Sequence, residues 1–264
     1  MSETPVLVAK SGGITRLTLN RPERLNSLNR ALFEAMMAAL ADAATEDTCR
    51  VVVLTGAGRA FCAGQDLSGE VYNASGPQPD VGVVVERYNT MIERMRRLPK
   101  PIIGAVNGIA AGGGASLALA CDVVFAKKSA TFLQAFAKIG LVPDCGGTYF
   151  LPRLAGEARA RGMALLAEPI KAEQAEAWGM IWKAVDDDKL DAEVTTAAEK
   201  LAVAATYGLA LTKQALLASG DNDLTAQLRL ERDLQRQAAA SPDYREGVGA
   251  FLAKRQPKFT GAKG

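Results

Sequence analysis

The residues best suited to chemistry lie in three segments where glycine stands beside apolar structure. They are residues 60–67 (AFCAGQDL), 110–117 (AAGGGASL) and 139–148 (IGLVPDCGGT). In the second segment, three consecutive glycines lead into a helix of Ala and Leu, and free N–H groups at a helix start can face developing negative charge. The alternative is a tight turn in which backbone merely packs closely, and without context the pattern favours that turn.

Asp144 is the carboxylate of the third segment. It follows Ile-Gly-Leu-Val-Pro and precedes Cys-Gly-Gly, so it lies in a mostly apolar, conformationally fixed loop. Such surroundings raise the pKa of a carboxyl group. A raised pKa suits a group that takes a proton from one atom and returns it to another. An Asp beside Gly is also an ordinary turn residue, and the local pattern leaves both interpretations open.

The residue types that are absent exclude several mechanisms. The chain has no histidine, which excludes Ser-His-Asp and Cys-His catalysis and metal sites that need imidazole. It has no phosphate-binding G-x-x-x-x-G-K-[ST] motif and no complete dinucleotide fingerprint, which argues against ATP and NAD. Without histidine to form a thiolate, Cys62 and Cys145 are interpreted as small apolar fillers.

Composition argues against a protein that binds nucleic acid or an anionic membrane, and it is compatible with an anionic small ligand. The 264 residues include 31 Lys and Arg against 29 Asp and Glu, a net charge of +2. That balance gives no broad positive field for nucleic acid or an anionic bilayer. The four cysteines have no C-x-x-C spacing, and residues 1–10 lack a signal-peptide pattern, so we expect a reduced, cytoplasmic protein.

The elements that must position these segments alternate in the first half of the chain. Apolar periodicity predicts strands at residues 14–19, 51–54, 102–106 and 123–126, with a helix capped by Asn29 and another through residues 88–95. The uncharged run 101–121 reads as a buried strand, glycine turn and helix rather than a membrane span. This rhythm predicts a layered α/β core. Residues 68–85 are expected to form a loop.

After Arg153 the strand signals fade and helical patterns continue to residue 253. We therefore expect a helical second half, which completes the active site or joins subunits; periodicity does not distinguish the two.

The three segments, in this order, resemble the enoyl-CoA hydratase/isomerase, or crotonase, superfamily over nearly the whole chain. Further matching motifs lie at residues 19–27, 98–101, 105–108 and 244–255. The resemblance implies an α/β fold, a spiral of ββα units over residues 1–195, followed by a helical region at 196–264 that mediates homotrimers, often paired into hexamers. It also implies an acyl-CoA substrate, with coenzyme A as part of the substrate and no separate cofactor. From the residue types and the charge balance we expect no metal, no nucleic-acid partner and no membrane partner.

The resemblance also assigns roles to individual residues. Backbone N–H groups of Gln65 and Gly113 would bind the thioester oxygen as it becomes an enolate, and preorganised donors of this kind stabilise the transition state. A second group would contact coenzyme A: Ala63, Gly64, Gln65, Asp66 and Leu67 through backbone, with Arg24 and Lys254 near the phosphates. The alternatives are a solvated side chain at Arg24 and Lys254, and a loop-stabilising hydrogen bond at Asp66.

Two departures from the family pattern bear on the reaction. Hydratases of the family hold water between two glutamates, and those positions resemble Ser116 and Phe136 here. Without that pair, hydration lacks its acid and base. Asp144 instead resembles the catalytic aspartate of isomerases and dehalogenases in the family, and one carboxylate suffices for a 1,3-proton shift.

A closer likeness, at residues 140–148, 178–182, 185–187 and 230–236, is to the branch that isomerises ring-1,2-epoxyphenylacetyl-CoA to oxepin-CoA in phenylacetate catabolism and shifts double bonds in 3-enoyl-CoA. Three alternatives remain: an enoyl-CoA hydratase, an aryl-CoA dehalogenase with Asp144 as nucleophile, and a noncatalytic CoA-binding or RNA-binding scaffold.

Overall fold

The computed structural model describes residues 4–68 and 71–263. Its strands are β1 (Val6–Ser11), β2 (Ile14–Leu19), β3 (Val51–Gly56), β4 (Ala60–Cys62), β5 (Ile102–Val106), β6 (Ile109–Ala111), β7 (Val123–Lys127), β8 (Thr131–Leu133), β9 (Ile170–Lys171) and β10 (Lys183–Val185). Its α-helices are α1 (Arg30–Thr45), α2 (Val81–Arg97), α3 (Gly113–Leu119), α4 (Gly147–Ala155), α5 (Glu157–Leu166), α6 (Ala172–Ala177), α7 (Leu190–Ala202), α8 (Thr206–Ala218), α9 (Leu224–Ala239) and α10 (Pro242–Leu252).

In the described residues, ten strands form two sheets that the chain visits alternately. The larger sheet has the order β1-β2-β3-β5-β7-β10, and every pair except β1 with β2 is parallel. The smaller sheet has the order β4-β6-β8-β9. Each long strand β3, β5 and β7 is followed by a short strand of the smaller sheet and then by a helix. This repeated ββα unit confirms the predicted spiral fold.

The core lies on both faces of the larger sheet. One apolar cluster joins the sheet to α1, α2 and α3, and the other packs the opposite face against α7 through Val194, Ala198 and Ala202. Strand β3 is therefore buried on both sides, which explains its continuous apolar sequence. The domain boundary expected at residue 195 falls inside α7, and the division into two domains stays a prediction.

Local sequence signals predicted most elements of the first half. The Asn29 side chain caps α1 by accepting a hydrogen bond from Leu32 N at 2.9 Å, as expected. The run 101–121 forms strand β5 and the buried helix α3 as expected, and between them lies a short strand, β6, that was not predicted. The predicted loop 68–85 ends earlier, because Asp80 caps α2 at residue 81; its residues 69 and 70 lie outside the described ranges.

The expectation of an entirely helical second half is wrong at two places. Strand β9 pairs with β8, and β10 extends the larger sheet beside β7. These strands have two and three residues, too few to show a two-residue period. Within the described residues, no single helix is long and apolar enough to span a bilayer; α7 and α8 meet the test only jointly, with a bend of 106°.

Glycine lets α3 press directly on β4. A Cβ added at Gly114 would lie 2.1 Å from the backbone oxygen of Cys62, whereas one added at Gly162, inside α5, would meet nothing within 4 Å. We expect Gly114→Ala to lower the free energy of unfolding by about 2–4 kcal/mol, because backbone must shift to admit the methyl group. Gly162→Ala should instead raise it by about 0.5–1 kcal/mol.

Urea unfolding of both variants measures the difference. Equal midpoints for the two variants would contradict the close approach of α3 to β4.

Candidate active site

The end of β4 and the start of α3 meet through Gly64. Its φ is +90°, a conformation that favours glycine. A Cβ at this position would lie 2.8 Å from Ala111 O and 3.5 Å from Gly113 N. The absence of a side chain therefore allows the 63–65 segment to lie directly beside the first residue of α3.

The backbone N–H of Gln65 is left free by the way this segment pairs with Leu28. Leu28 N donates to Gly64 O at 2.7 Å, and Asp66 N donates to Leu28 O at 2.8 Å. In such a parallel bridge the central residue directs its own N–H away from the partner. Accordingly, the Gln65 N–H has no hydrogen-bond acceptor within residues 4–68 and 71–263.

The backbone N–H of Gly113 is free because it begins a helix. Gly112 precedes α3 with φ +53°, and its carbonyl accepts from Ala115 N and Ser116 N, one turn further on. The N–H of Gly113 comes before the first helical hydrogen bond, and no acceptor for it occurs in the described part of the chain. Gln65 and Gly113 thus supply two neighbouring donors, the arrangement of an oxyanion hole.

Asp144 lies next to these donors. Its Oδ1 is 3.3 Å from the position that a Cβ on Gly113 would take. The turn is closed by Gly147 N donating to Asp144 O at 2.8 Å, with Cys145 and Gly146 both at positive φ. Oδ1 is buried without a hydrogen-bond partner among the described residues. Burial raises the pKa of Asp144, and the Cys145 thiol offsets part of that rise.

Asp66 organises the loop rather than offering a free carboxylate. Its Oδ2 accepts from Arg21 Nη2 at 2.9 Å, and its Oδ1 accepts from Ser68 N at 3.1 Å and Ser68 Oγ at 2.6 Å. Partial burial opposes ionisation, but the hydrogen bonds from Ser68 and Arg21 outweigh it and lower the pKa of Asp66. The loop-stabilising alternative for this side chain is therefore observed.

Two structural residues were missed by the sequence interpretation. Arg21 joins Asp66 to the carbonyl of Ser27 at 2.7 Å. Asn26 is fully buried at φ +56°, and its Nδ2 donates to Ala57 O and Ala60 O. The available signal was the motif 19–27, which contains both residues, but their partners lie far away in sequence.

The remaining residues expected to bind coenzyme A lie at the surface or beside the loop. Ala63 N donates to Leu25 O at 3.0 Å, which places the 63–67 segment beside the turn that contains Arg24. Leu67 is half exposed, at 50%. Arg24 and Lys254 are both exposed, and Lys254 follows the end of α10. The coenzyme A roles of these residues stay predictions.

Ser116 and Phe136, at the positions that resemble the two glutamates of the hydratases, are both buried. Ser116 is fully buried within α3. The ring of Phe136 is 7% exposed, and its Cζ is 3.7 Å from a Cβ position on Gly112. Gln134, which the sequence interpretation did not single out, is fully buried nearby. A water molecule would find no pair of carboxylates at these positions.

The cysteines are buried thiols that are poorly suited to act as nucleophiles. All four are free and buried. Burial raises the pKa of Cys62 to about 12 and raises that of Cys145 as well. This fits the interpretation of both as apolar fillers. In the described part of the chain, no group of three Cys, Asp or Glu side chains could hold a metal ion.

Comparison with known proteins connects this geometry to a family. The family model of enoyl-CoA hydratase/isomerase matches residues 9–262. The 1,2-epoxyphenylacetyl-CoA isomerase of Escherichia coli K12 is 55% identical over 94% of this chain and 95% of its own length. The 2,3-dehydroadipyl-CoA hydratase of the same organism is 37% identical over 99% of this chain and all of its own.

Solved structures show the same fold. The enoyl-CoA hydratase of Bacillus anthracis superposes with a TM-score of 0.92 at 34% identity, covering 98% of this chain and 100% of that one.

Removing the charge of Asp144 and removing the charge of Asp66 should change the free energy of unfolding in opposite directions. The folded protein binds the Asp144 proton more tightly than the unfolded chain does, because burial raises the pKa. The ionised carboxyl therefore costs stability above its folded pKa, and this cost vanishes below the unfolded value of about 3.9. Asp144→Asn should raise the free energy of unfolding near neutral pH, with an advantage that shrinks as pH falls.

Asp66→Asn is the matched control and should lower stability near neutral pH, since its ionised form is the stabilised one. Urea unfolding across a pH series measures both variants. A loss of stability in Asp144→Asn near neutral pH would contradict the desolvated carboxylate.

Proposed function

The chain belongs to the enoyl-CoA hydratase/isomerase family, and from this premise we propose that it is an acyl-CoA isomerase. Its proposed reactions are conversion of ring-1,2-epoxyphenylacetyl-CoA to oxepin-CoA and shifts of double bonds in 3-enoyl-CoA. One observation carries the proposal: the carboxyl of Asp144, whose Oδ1 is buried, lies beside the free N–H groups of Gly113 and Gln65. The 55% identity with the 1,2-epoxyphenylacetyl-CoA isomerase supports the choice of substrate.

The proposed double-bond shift uses three groups. The thioester oxygen accepts hydrogen bonds from Gln65 N–H and Gly113 N–H. Ionised Asp144 removes a proton from the carbon beside the thioester, and the electron pair becomes a dienolate whose negative oxygen the two donors stabilise. Protonated Asp144 then returns the same proton to the far carbon, so atoms and charge balance. A raised pKa helps Asp144 to hold the proton between the two steps.

The alternatives on the same scaffold fit less well. Hydration would need a second acid or base beside Asp144, yet Ser116 and Phe136 offer none, and Asp66 is bound to Arg21. Dehalogenation would use Asp144 as a nucleophile on an activated ring, and none of the relatives named above is a dehalogenase. Buried, partnerless donors and a buried carboxyl are costly to retain in a noncatalytic scaffold.

Coenzyme A enters this proposal as part of the substrate and not as a separate cofactor. The backbone of residues 63–67 would contact its adenine and pantetheine, while Arg24 and Lys254 would approach the phosphates. Both basic side chains are exposed and therefore accessible to an anionic ligand. The four free cysteines suit a reducing compartment, which supports a cytoplasmic location.

We also propose that residues 1–195 form the catalytic core and that residues 196–264 join subunits. The C-terminal helices expose large apolar side chains, with Phe251 83% and Leu252 75% accessible. Exposure on this scale is typical of an interaction surface. The assembly would be a homotrimer or a pair of trimers.

Light scattering tests this assembly. We expect a mass three or six times 27.8 kDa for the wild type, and a lower mass for Phe251→Asp with Leu252→Asp, since buried charge opposes association. The control is Leu165→Asp, at an exposed apolar residue outside the C-terminal region, and it should leave the mass unchanged. If the wild type were a monomer, the proposed assembly would be wrong, and the proposed reaction would be unaffected by that result.

The function is tested by turnover. Wild type should convert ring-1,2-epoxyphenylacetyl-CoA to oxepin-CoA and a 3-enoyl-CoA to its 2-enoyl isomer, followed by mass-coupled chromatography. Asp144→Asn should lose about 10²- to 10⁴-fold in kcat, the usual contribution of a general acid/base.

Two results would contradict the proposal. Full turnover by Asp144→Asn would remove that residue from the chemistry. Hydration of crotonyl-CoA by a wild type that converts neither substrate would reassign the function.

A further inference from the structure

Two buried polar side chains beside the Asp144 turn have no role in the proton transfer. Ser116 on α3 and Gln134 after β8 are both 0% exposed. Ser116 Oγ, Gln134 Oε1 and Gln134 Nε2 are all without a hydrogen-bond partner among the described residues. Native proteins rarely leave such atoms unpartnered, so a clustered group of them points to a bound polar atom.

Both side chains face the same backbone position. A Cβ at Gly147 would lie 2.8 Å from Ser116 Oγ and 3.5 Å from Gln134 Nε2. Pro143 Cβ lies 3.3 Å from the same point. The turn that carries Asp144 therefore forms one wall of this polar cluster, and α3 forms another.

The cluster is aligned with the oxyanion hole along α3. Gly113 and Ser116 are three residues apart, so they share one face of the helix. The helix rises about 4.5 Å between them. A thioester whose oxygen rests on Gly113 N–H would thus direct the next part of its acyl group toward Ser116, along the Asp144 turn.

We propose that Ser116 and Gln134 form a subsite for a second oxygen of the acyl group, carried on the β-carbon. The oxygen of a ring 1,2-epoxide is bonded to that carbon, and so is the oxygen of the corresponding oxepin. This inference rests on the proposed function and deepens it: it explains how the enzyme would select oxygenated acyl groups over plain ones. Ser116 and Gln134 are substrate-positioning residues here, and Asp144 remains the acid/base.

The chemistry of the donors favours an uncharged oxygen. A serine hydroxyl and the Nε2 of a primary amide each donate a hydrogen bond and carry no charge, so they match an ether or epoxide oxygen. A carboxylate or phosphate would leave an uncompensated buried charge. Because Gly147 and Pro143 lie against the cluster, the proposal requires the Asp144 turn to move outward as the oxygen enters, a loop rearrangement of the kind that a minority of complexes show on binding.

Two substrates separate this role from general support of the turn. The first is ring-1,2-epoxyphenylacetyl-CoA, which carries the oxygen, and the second is 3-hexenoyl-CoA, which lacks it. Phenylacetyl-CoA, also without the oxygen, serves as an inhibitor that reports thioester binding. The variants are Ser116→Ala and Gln134→Met, with Cys121→Ala, a buried residue just beyond the other end of α3, as the matched control.

Each subsite variant should lose about tenfold or more in kcat/KM for the epoxide, because one neutral hydrogen bond is removed and its partner is left unpaired. Turnover of 3-hexenoyl-CoA and inhibition by phenylacetyl-CoA should stay at the wild-type level. Cys121→Ala should not distinguish the two substrates.

Equal losses on both substrates would overturn the inference, since Ser116 and Gln134 would then only support the Asp144 turn. No loss on either substrate would overturn it as well. A wild type that isomerises 3-hexenoyl-CoA but not the epoxide rejects the subsite and keeps the double-bond chemistry. A wild type that turns over neither rejects the proposed function itself.

Discussion

The close contact between the backbone of β4 and the start of α3 is the constraint on which the rest of the site depends. Gly114 places α3 against Cys62 O, and Gly64 brings the following segment beside Gly113 N. Two backbone donors from different ββα units converge as a result. Since backbone groups supply the donors, the site is as rigid as the strands and the helix that carry it, which is the preorganisation that stabilises developing charge.

The pKa values of two carboxyl groups near this contact are shifted in opposite directions by their surroundings. Asp66 is held ionised by Arg21 and Ser68, and it fixes the loop that presents Gln65. Asp144 is partly buried, its Oδ1 is sealed from solvent without a partner in the described ranges, and its pKa is raised. Environments that separate the pKa values of nearby acids commonly distinguish structural from chemical roles. Here one carboxylate builds the site and the other is available to move a proton.

Partly buried polar contacts join α8 and the residues before it to the rest of the fold. Lys213 on α8 donates to Met95 O at the end of α2 and to Asp122 Oδ2, both within 2.9 Å. Arg50, immediately before β3, donates to Ala204 O, between α7 and α8, and to Thr206 Oγ1 on the first residue of α8. These contacts fix α8 against the core, so a surface used for assembly would be held in a constant position relative to the active site.

Local sequence was enough to predict the elements with a clear apolar period, such as β2 and α1, and to identify the residue types that could take part in chemistry. It identified Asp144 as a candidate acid/base and excluded mechanisms that need histidine, because both conclusions follow directly from residue identity. The free N–H of Gln65 could not be predicted in this way, since its direction depends on pairing with Leu28, which is distant in sequence. The same is true of the burial of Asp144 and of the short strands β9 and β10. The physical reason is common to all: hydrogen-bond direction, desolvation and pairing of very short strands are set by neighbours brought together in space, which local sequence does not specify.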